Sequence, residues 1–195
     1  MTALPHHMAM TVEEYLQLDR NSHETRYEYS DGHIRMLAGG SLDHATIGLN
    51  VASTLRAALR DSPCRVFNSD ARVQLSETRY VYPDATVSCG EQEHGQNDTV
   101  LSPRLVIEVL SPSTEGYDRG KKFWLYRQCP TLQEYVLINT LRPEVEVYRR
   151  GKNNLWTLYT FELHEDVELL SLNLHFPVTA FYEDVVFRPE EPEIP

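Results

Sequence analysis

The apolar and polar positions of the chain first mark out a short amphipathic helix. Thr11-Val12-Glu13-Glu14 has the spacing of a capping box, and Val12, Tyr15, Leu16 and Leu18 give an apolar stripe ending near Leu18. Alternation from Glu24 to Tyr29, a turn at Ser30-Asp31-Gly32 and the run His33 to Leu37 predict a hairpin. Gly39-Gly40-Ser41 interrupts the pattern. Ser41 or Asp43 then caps a long helix to about Leu59, whose apolar positions, Ile47, Val51 and Leu55 among them, suit packing on a sheet. After Asp61-Ser62-Pro63 the periodicity becomes strand-like, over Cys64–Asn68, Ala71–Leu75 and Tyr80–Val87. Residues 90–99 read as a polar surface loop. Leu105–Leu110 reads as a strand buried on both faces. Ser111 to Thr114 turns the chain into a helix of roughly Tyr117–Cys129, which Pro130 ends. Glu134–Asn139 is a strand, Glu144–Arg149 pairs with Asn154–Phe161, and Val167–Leu174 is the last strand. The order predicts an α/β (α+β) fold with a central mixed β-sheet flanked by helices.

A chain of 195 residues fits one domain. We expect it to span residues 1–188, with the proline- and glutamate-rich residues 189–195 as a flexible tail. No apolar run approaches the ~20 residues that cross a membrane. Met1 to Met10 lacks the apolar stretch of a signal peptide. The three cysteines, Cys64, Cys89 and Cys129, are scattered without a C-x-x-C pair. A reducing cytoplasm is therefore expected, with neither a disulfide framework nor a zinc–thiolate site. The net charge of −11 argues against a non-specific nucleic-acid binder. An acidic chain can still act on nucleic acid where a locally basic cleft and a metal supply positive charge.

The candidate chemistry starts at Glu108. It lies inside Leu105-Val106-Ile107-Glu108-Val109-Leu110, where neither strand face reads as solvent-facing. Desolvating a carboxylate there is costly unless something pairs with it. The bland alternative is a rim glutamate paired with Arg104. Asp84 follows Pro83 on the preceding strand, and a bulge there would aim it at Glu108; the alternative is a plain turn aspartate. Asp84, Glu108 and a backbone carbonyl such as that of Val109 suit Mg²⁺ or Mn²⁺. Lys122 shares a helix face with Asp118 and Tyr126 and would orient a nucleophilic water, or else forms a surface pair with Asp118. Lys121 is its competitor but lacks the i, i+4 relation to Asp118. Glu28 is either a third acid at the metal or a cross-strand partner of Arg26 or Arg35. Arg119, Lys121 and Arg127 form a basic stretch where phosphates would dock. His44 opens the long helix and is unremarkable there. His6-His7 has no third ligand at useful spacing. No Walker loop, G-x-S-x-G elbow, H-E-x-x-H or Rossmann fingerprint is present.

Taken together, Met10 to Tyr15, Tyr27 to Gly32, His44, Pro83-Asp84, Val106 to Thr114, Asp118 with Lys122 and Tyr126, and Glu134-Tyr135 resemble a restriction-endonuclease family formerly classed as a domain of unknown function, within the PD-(D/E)XK nuclease superfamily. The resemblance covers about residues 10 to 186. It implies a restriction-endonuclease-like sheet flanked by helices, with metal on Asp84 and Glu108. It departs from the superfamily at Leu110, where a lysine is usual; family members supply the lysine from the next helix, which matches Lys122. The expected function is Mg²⁺-dependent hydrolysis of DNA by an endonuclease, with a homodimer suited to double-strand cleavage. The alternative is a non-catalytic nucleic-acid or protein interaction module on a decayed nuclease fold, which the −11 charge and Leu110 favour. A weaker third reading is a phosphohydrolase of small nucleotides.

Overall fold

A computed structural model of the chain describes residues 9–90 and 98–187. His6-His7, most of the 90–99 loop and the 189–195 tail lie outside the described residues. Helix α1, Val12–Asn21, starts with the expected capping box: Glu14 takes the Thr11 amide at 2.7 Å while Thr11 Oγ accepts from the Glu14 amide. It runs beyond the apolar stripe because Asp19 turns inward, where its Oδ2 receives Arg72 Nη1 at 2.6 Å and the Tyr82 hydroxyl. A buried polar contact replaces the apolar one that periodicity would count. Strands β1 (Tyr27–Ser30) and β2 (His33–Met36) form the hairpin. Asp31 and Gly32 carry positive φ of 49° and 95°, the geometry of a two-residue turn matched to strand twist. A Cβ on Gly32 would meet Ala9 Cβ at 2.5 Å, so this glycine is also required sterically.

Helix α2, Leu42–Ala58, is capped by Ser41 Oγ on the His44 amide. Its Ile47, Val51 and Leu55 are fully buried at four-residue spacing, each contributing roughly 1.5–3 kcal/mol of transfer free energy. Strands β3 (Arg65–Asn68), β4 (Arg72–Ser76), β5 (Arg79–Val81) and β6 (Ala85–Ser88) follow. The single strand expected over 80–87 is thus two strands in different sheets. Pro83 has no N–H to give a ladder, and the chain crosses between sheets at Tyr82-Pro83-Asp84. After β7 (Thr99–Val100) and β8 (Pro103–Val109) comes α3, made of Glu115–Tyr117, a π turn at Asp118–Lys122 and Phe123–Tyr126 without a break. Strands β9 (Glu134–Ile138), β10 (Glu144–Arg150) and β11 (Trp156–Glu162) complete the main sheet. The expected last strand over 167–174 is instead a small hairpin, β12 (Asp166–Leu169) and β13 (Leu174–Pro177). The carboxylate of Glu134 accepts from the Leu170 and Ser171 amides at 3.1 and 2.9 Å and bends the chain there.

The six-stranded sheet, in order β11-β10-β9-β8-β6-β3, is mixed: β8 and β9 run parallel and the other pairs antiparallel. The α2 helix packs on one face with Leu105, Ile107 and Val109. Val106 and Leu110 face the other way, into a core shared with Leu125 and Tyr126 of α3 and with Val73 and Val81 of a five-stranded sheet, β2-β1-β5-β4-β7. Strand β8 is therefore covered on both faces, as its unbroken apolar run requires. A third cluster stacks Tyr15 of α1 on Tyr29 and sets Tyr80 at a tilt against it. No described helix is long and apolar enough to cross a membrane.

The expectation of unpaired cysteines is corrected. Cys64 and Cys89 are disulfide-bonded, one step beyond the Arg65–Ser88 pair of the β3–β6 ladder. Strand pairing brings together two thiols 25 residues apart, which spacing alone does not announce. The argument from cysteine usage to a reducing compartment goes with it. Cys129 is buried and free.

Candidate active site

The β6–β8 ladder builds the first half of the site. Ala85 pairs with Ile107, so Asp84, one residue earlier, stands opposite Glu108 on the same side of the sheet. Their separation along the chain becomes a cross-strand neighbourhood. The Val109 amide donates to Asp84 Oδ2 at 2.7 Å and fixes that carboxylate at the strand end.

Helix α3 supplies the cation. Lys122 Nζ lies 2.8 Å from Glu108 Oε1 and 2.9 Å from Glu28 Oε1, and all three side chains are at most 5% exposed. The π turn accounts for the reach. In an α-helix residues four apart drift steadily around the axis; a π turn holds more residues and reverses the drift. Asp118, Lys122 and Tyr126 therefore all stay buried against the sheet. Tyr126 donates to Glu108 Oε1 at 2.6 Å, and Asp118 Oδ1 is 4.0 Å from Lys122. Neither bland alternative holds: Arg104 donates to the Ser171 carbonyl instead of Glu108, and the Asp118–Lys122 pair is buried. Lys121 is exposed.

Glu28 is the cross-strand partner of Arg35 in register, yet its ion pair is with Lys122. Its Oε1 also accepts from the Tyr82 amide, and the Tyr117 hydroxyl lies 3.5 Å from its Oε2. Two side chains join that the sequence did not single out for this site. His44, in the first turn of α2, places Nε2 3.5 Å from Asp84 Oδ2. Tyr117 comes from the first turn of α3. The signal for His44 was its place among the residues that carry the family resemblance; nothing in the local pattern marked Tyr117.

Three carboxylates, from Glu28, Glu108 and Asp118, thus surround one ammonium, and a fourth, Asp84, stands across the ladder from Glu108. Burial, reinforced by the neighbouring acids, pushes the Glu108 carboxyl well above the usual range despite Lys122. Burial likewise raises Asp118. Burial opposes the charge on Lys122, but Glu108, Glu28 and Asp118 hold its ammonium above the ordinary lysine value. The hydrogen bond to Asp84 raises His44 against the opposing effect of burial. This excess of buried acid suits a hard divalent cation, and the donor set is all oxygen. One oxygen of Glu108 and one of Asp84 accept no hydrogen bond among the described residues. No group of three His, Cys, Asp or Glu side chains among the described residues is arranged to hold an ion, so a carbonyl such as that of Val109 and waters would complete the set.

The basic stretch separates. Arg119 is tied to Glu115 and Glu146. Arg127 lies over the Phe123 ring and lines a cavity with Trp124, Arg150 and Trp156 whose walls include none of the four acids. Lys121 lines a smaller cavity shared with Glu28 and Tyr117.

A model of the Uma2 family, described as putative restriction endonuclease, matches residues 12–181. An uncharacterized protein of Synechocystis sp., slr1290, is 35% identical over 179 residues, covering 91% of this chain and 94% of that protein. A second, sll1609, is 36% identical over 152 residues, covering 76% and 85%. Among solved structures, a putative nuclease belonging to DUF820 from Anabaena variabilis aligns with a TM-score of 0.74 at 21% identity, covering 91% of this chain and 99% of that one. That likeness speaks for a shared restriction-endonuclease-like fold. The chain belongs to the Uma2 family.

Proposed function

We propose that this chain is a Mg²⁺-dependent endonuclease, able to use Mn²⁺, that hydrolyses DNA phosphodiester bonds. The observation that carries the reading is Lys122 seated at 2.8 Å from Glu108, directly across the ladder from Asp84, amid more buried acid than one ammonium neutralises. Asp84, Glu108 and the Val109 carbonyl would hold the ion. When bound, the ion supplies a water of lowered pKa and charge neutralisation at the phosphate. Lys122 then orients the attacking water and stabilises the negative charge growing on the phosphoryl oxygens. Glu28 keeps Lys122 charged and fixed. Tyr126 locks the Glu108 rotamer through its hydroxyl, and His44 steadies Asp84. Leu110, at the usual lysine position, is buried in the core, and the helix lysine takes the role. One such site cuts one strand, so the reading includes a homodimer on duplex DNA.

The test is nicking of supercoiled plasmid with Mg²⁺ or Mn²⁺. Glu108→Gln and Asp84→Asn are each expected to lower the rate about 10³-fold or more, with the thermal melt still cooperative. Cleavage retained by a clean Glu108→Gln preparation contradicts the assignment. Wild-type protein that binds DNA yet cleaves none with either metal would be the interaction module on a decayed nuclease fold.

A further inference from the structure

Beside the acids lies a cavity of about 90 Å³, walled by Glu28, Tyr117, His33, Arg35 and Lys121 among others. Its chemistry differs from that of the cluster next door. Arg35 faces Glu28 across the hairpin, where an ion pair is the default. Glu28 is turned to Lys122 instead, and Arg35 makes no ion pair among the described residues. Its guanidinium lies 3.7 Å above the Tyr117 ring, a stacking that fixes the plane of the group and leaves its edge for a planar, two-oxygen partner. Lys121 is exposed and makes no ion pair among the described residues. His33, two residues before Arg35 on β2, projects from the same strand face. Several other guanidiniums are paired with acids: Arg20 with Asp98, Arg79 with Asp31, Arg142 with Glu144 and Arg149 with Glu134. A protein of net charge −11 has thus kept unspent cations at the mouth of its acidic site. The volume matches about three waters.

We propose that Arg35, with Lys121 and His33, is a phosphate-binding subsite that grips the nucleic-acid backbone beside the scissile phosphodiester. The inference rests on the nuclease reading above and gives that site its substrate-positioning element: the hairpin holds the strand while Tyr117 ties the grip to Glu28. Arg35 is a positioning residue, since its contact is with a phosphate that does not react.

The experiment measures binding of a short fluorescent DNA duplex in EDTA, over a range of salt, for wild type, Arg35→Gln, Arg35→Lys and Lys121→Gln. Arg35→Gln is expected to weaken binding about tenfold or more and to lower the log–log salt slope by about one. Lys121→Gln should lower the slope by a similar step. Arg35→Lys keeps the charge and loses the fork, so it should retain the slope and bind with intermediate affinity. If Arg35→Gln melts poorly, Arg35→Lys and Lys121→Gln decide the matter. Wild-type affinity and slope in Arg35→Gln and Lys121→Gln overturn the subsite while leaving the nuclease reading intact. Inorganic phosphate, titrated by NMR, separates the other case. Arg35-dependent phosphate binding in a protein that ignores the duplex supports an anion site and defeats the nucleic-acid assignment; binding of neither overturns both.

Discussion

Two buried ion clusters in this protein look alike and differ in what they leave open. Around Arg72, Asp19 lies at 2.6 Å and Asp98 at 2.8 Å, the Thr99 hydroxyl accepts from the guanidinium, and the Tyr82 hydroxyl donates to Asp19. Arg20 also holds Asp98, keeping its carboxyl far below the usual range. Charges and hydrogen bonds there are nearly balanced, and the cluster staples α1 to β4. Around Lys122, three carboxylates meet one ammonium with Asp84 beside Glu108, and two oxygens stay unbonded. Burial by itself therefore does not mark a site: buried ionic networks also serve structure. The mark is acid in excess of its counter-charge at the end of a sheet.

Substitution of the two cations should separate the clusters most sharply. Arg72→Met leaves Asp19 buried without its cation, at a cost of about 3–5 kcal/mol, while cleavage per folded molecule stays unchanged. Lys122→Met should cost less stability, because the Glu108 carboxyl already favours its proton and can neutralise itself, but it should abolish cleavage. Urea unfolding and plasmid nicking of both variants read the contrast; equal stability losses with equal activities would erase it.

A smaller effect is expected at the Cys64–Cys89 bridge, remote from both clusters in its chemistry. It closes a loop of 25 residues, worth about 3 kcal/mol in the chain-entropy picture. Urea midpoints with and without reductant measure it, and nicking should survive reduction.

The smallest effect carries the sign that sharpens the comparison. Because the Glu108 carboxyl is raised in the folded state, the native protein holds its proton above the ordinary value of 4.5, where the unfolded chain has released it. Its contribution to stability is therefore lost as pH rises from about 4.5 through the raised native value. Glu108→Gln removes that dependence. In EDTA the stability of wild type relative to Glu108→Gln should fall as pH rises, and Mg²⁺ should reverse the fall. A pH-independent difference would mean that the charge on Glu108 is fully balanced by its neighbours.

Much of this was legible in the sequence because it is local or strongly periodic. The capping box of α1, the Asp31-Gly32 turn, the three apolar positions of α2 and the doubly buried β8 follow from spacing alone. Glu108 announced itself as a carboxylate in an apolar run, and Lys122 by sharing a face with Asp118 and Tyr126. The remainder depended on what the chain meets in three dimensions. The sheet change at Pro83 requires knowing that β5 and β6 have different neighbours. The Glu134 contacts that split the last strand join residues 36 and 37 apart. Asp19 with Arg72, and Cys64 with Cys89, are paired by strands and helices that bring distant positions together. Periodicity sees which face is apolar; it does not see which polar group on that face has found a partner.

The central claim is that Asp84 and Glu108 together hold a divalent cation. Calorimetric titration with Mn²⁺ near neutral pH tests it directly. The account predicts saturable binding to the wild-type protein that is lost in both Asp84→Asn and Glu108→Gln; wild-type protein that takes up no Mn²⁺, or variants that bind it as wild type does, would contradict it.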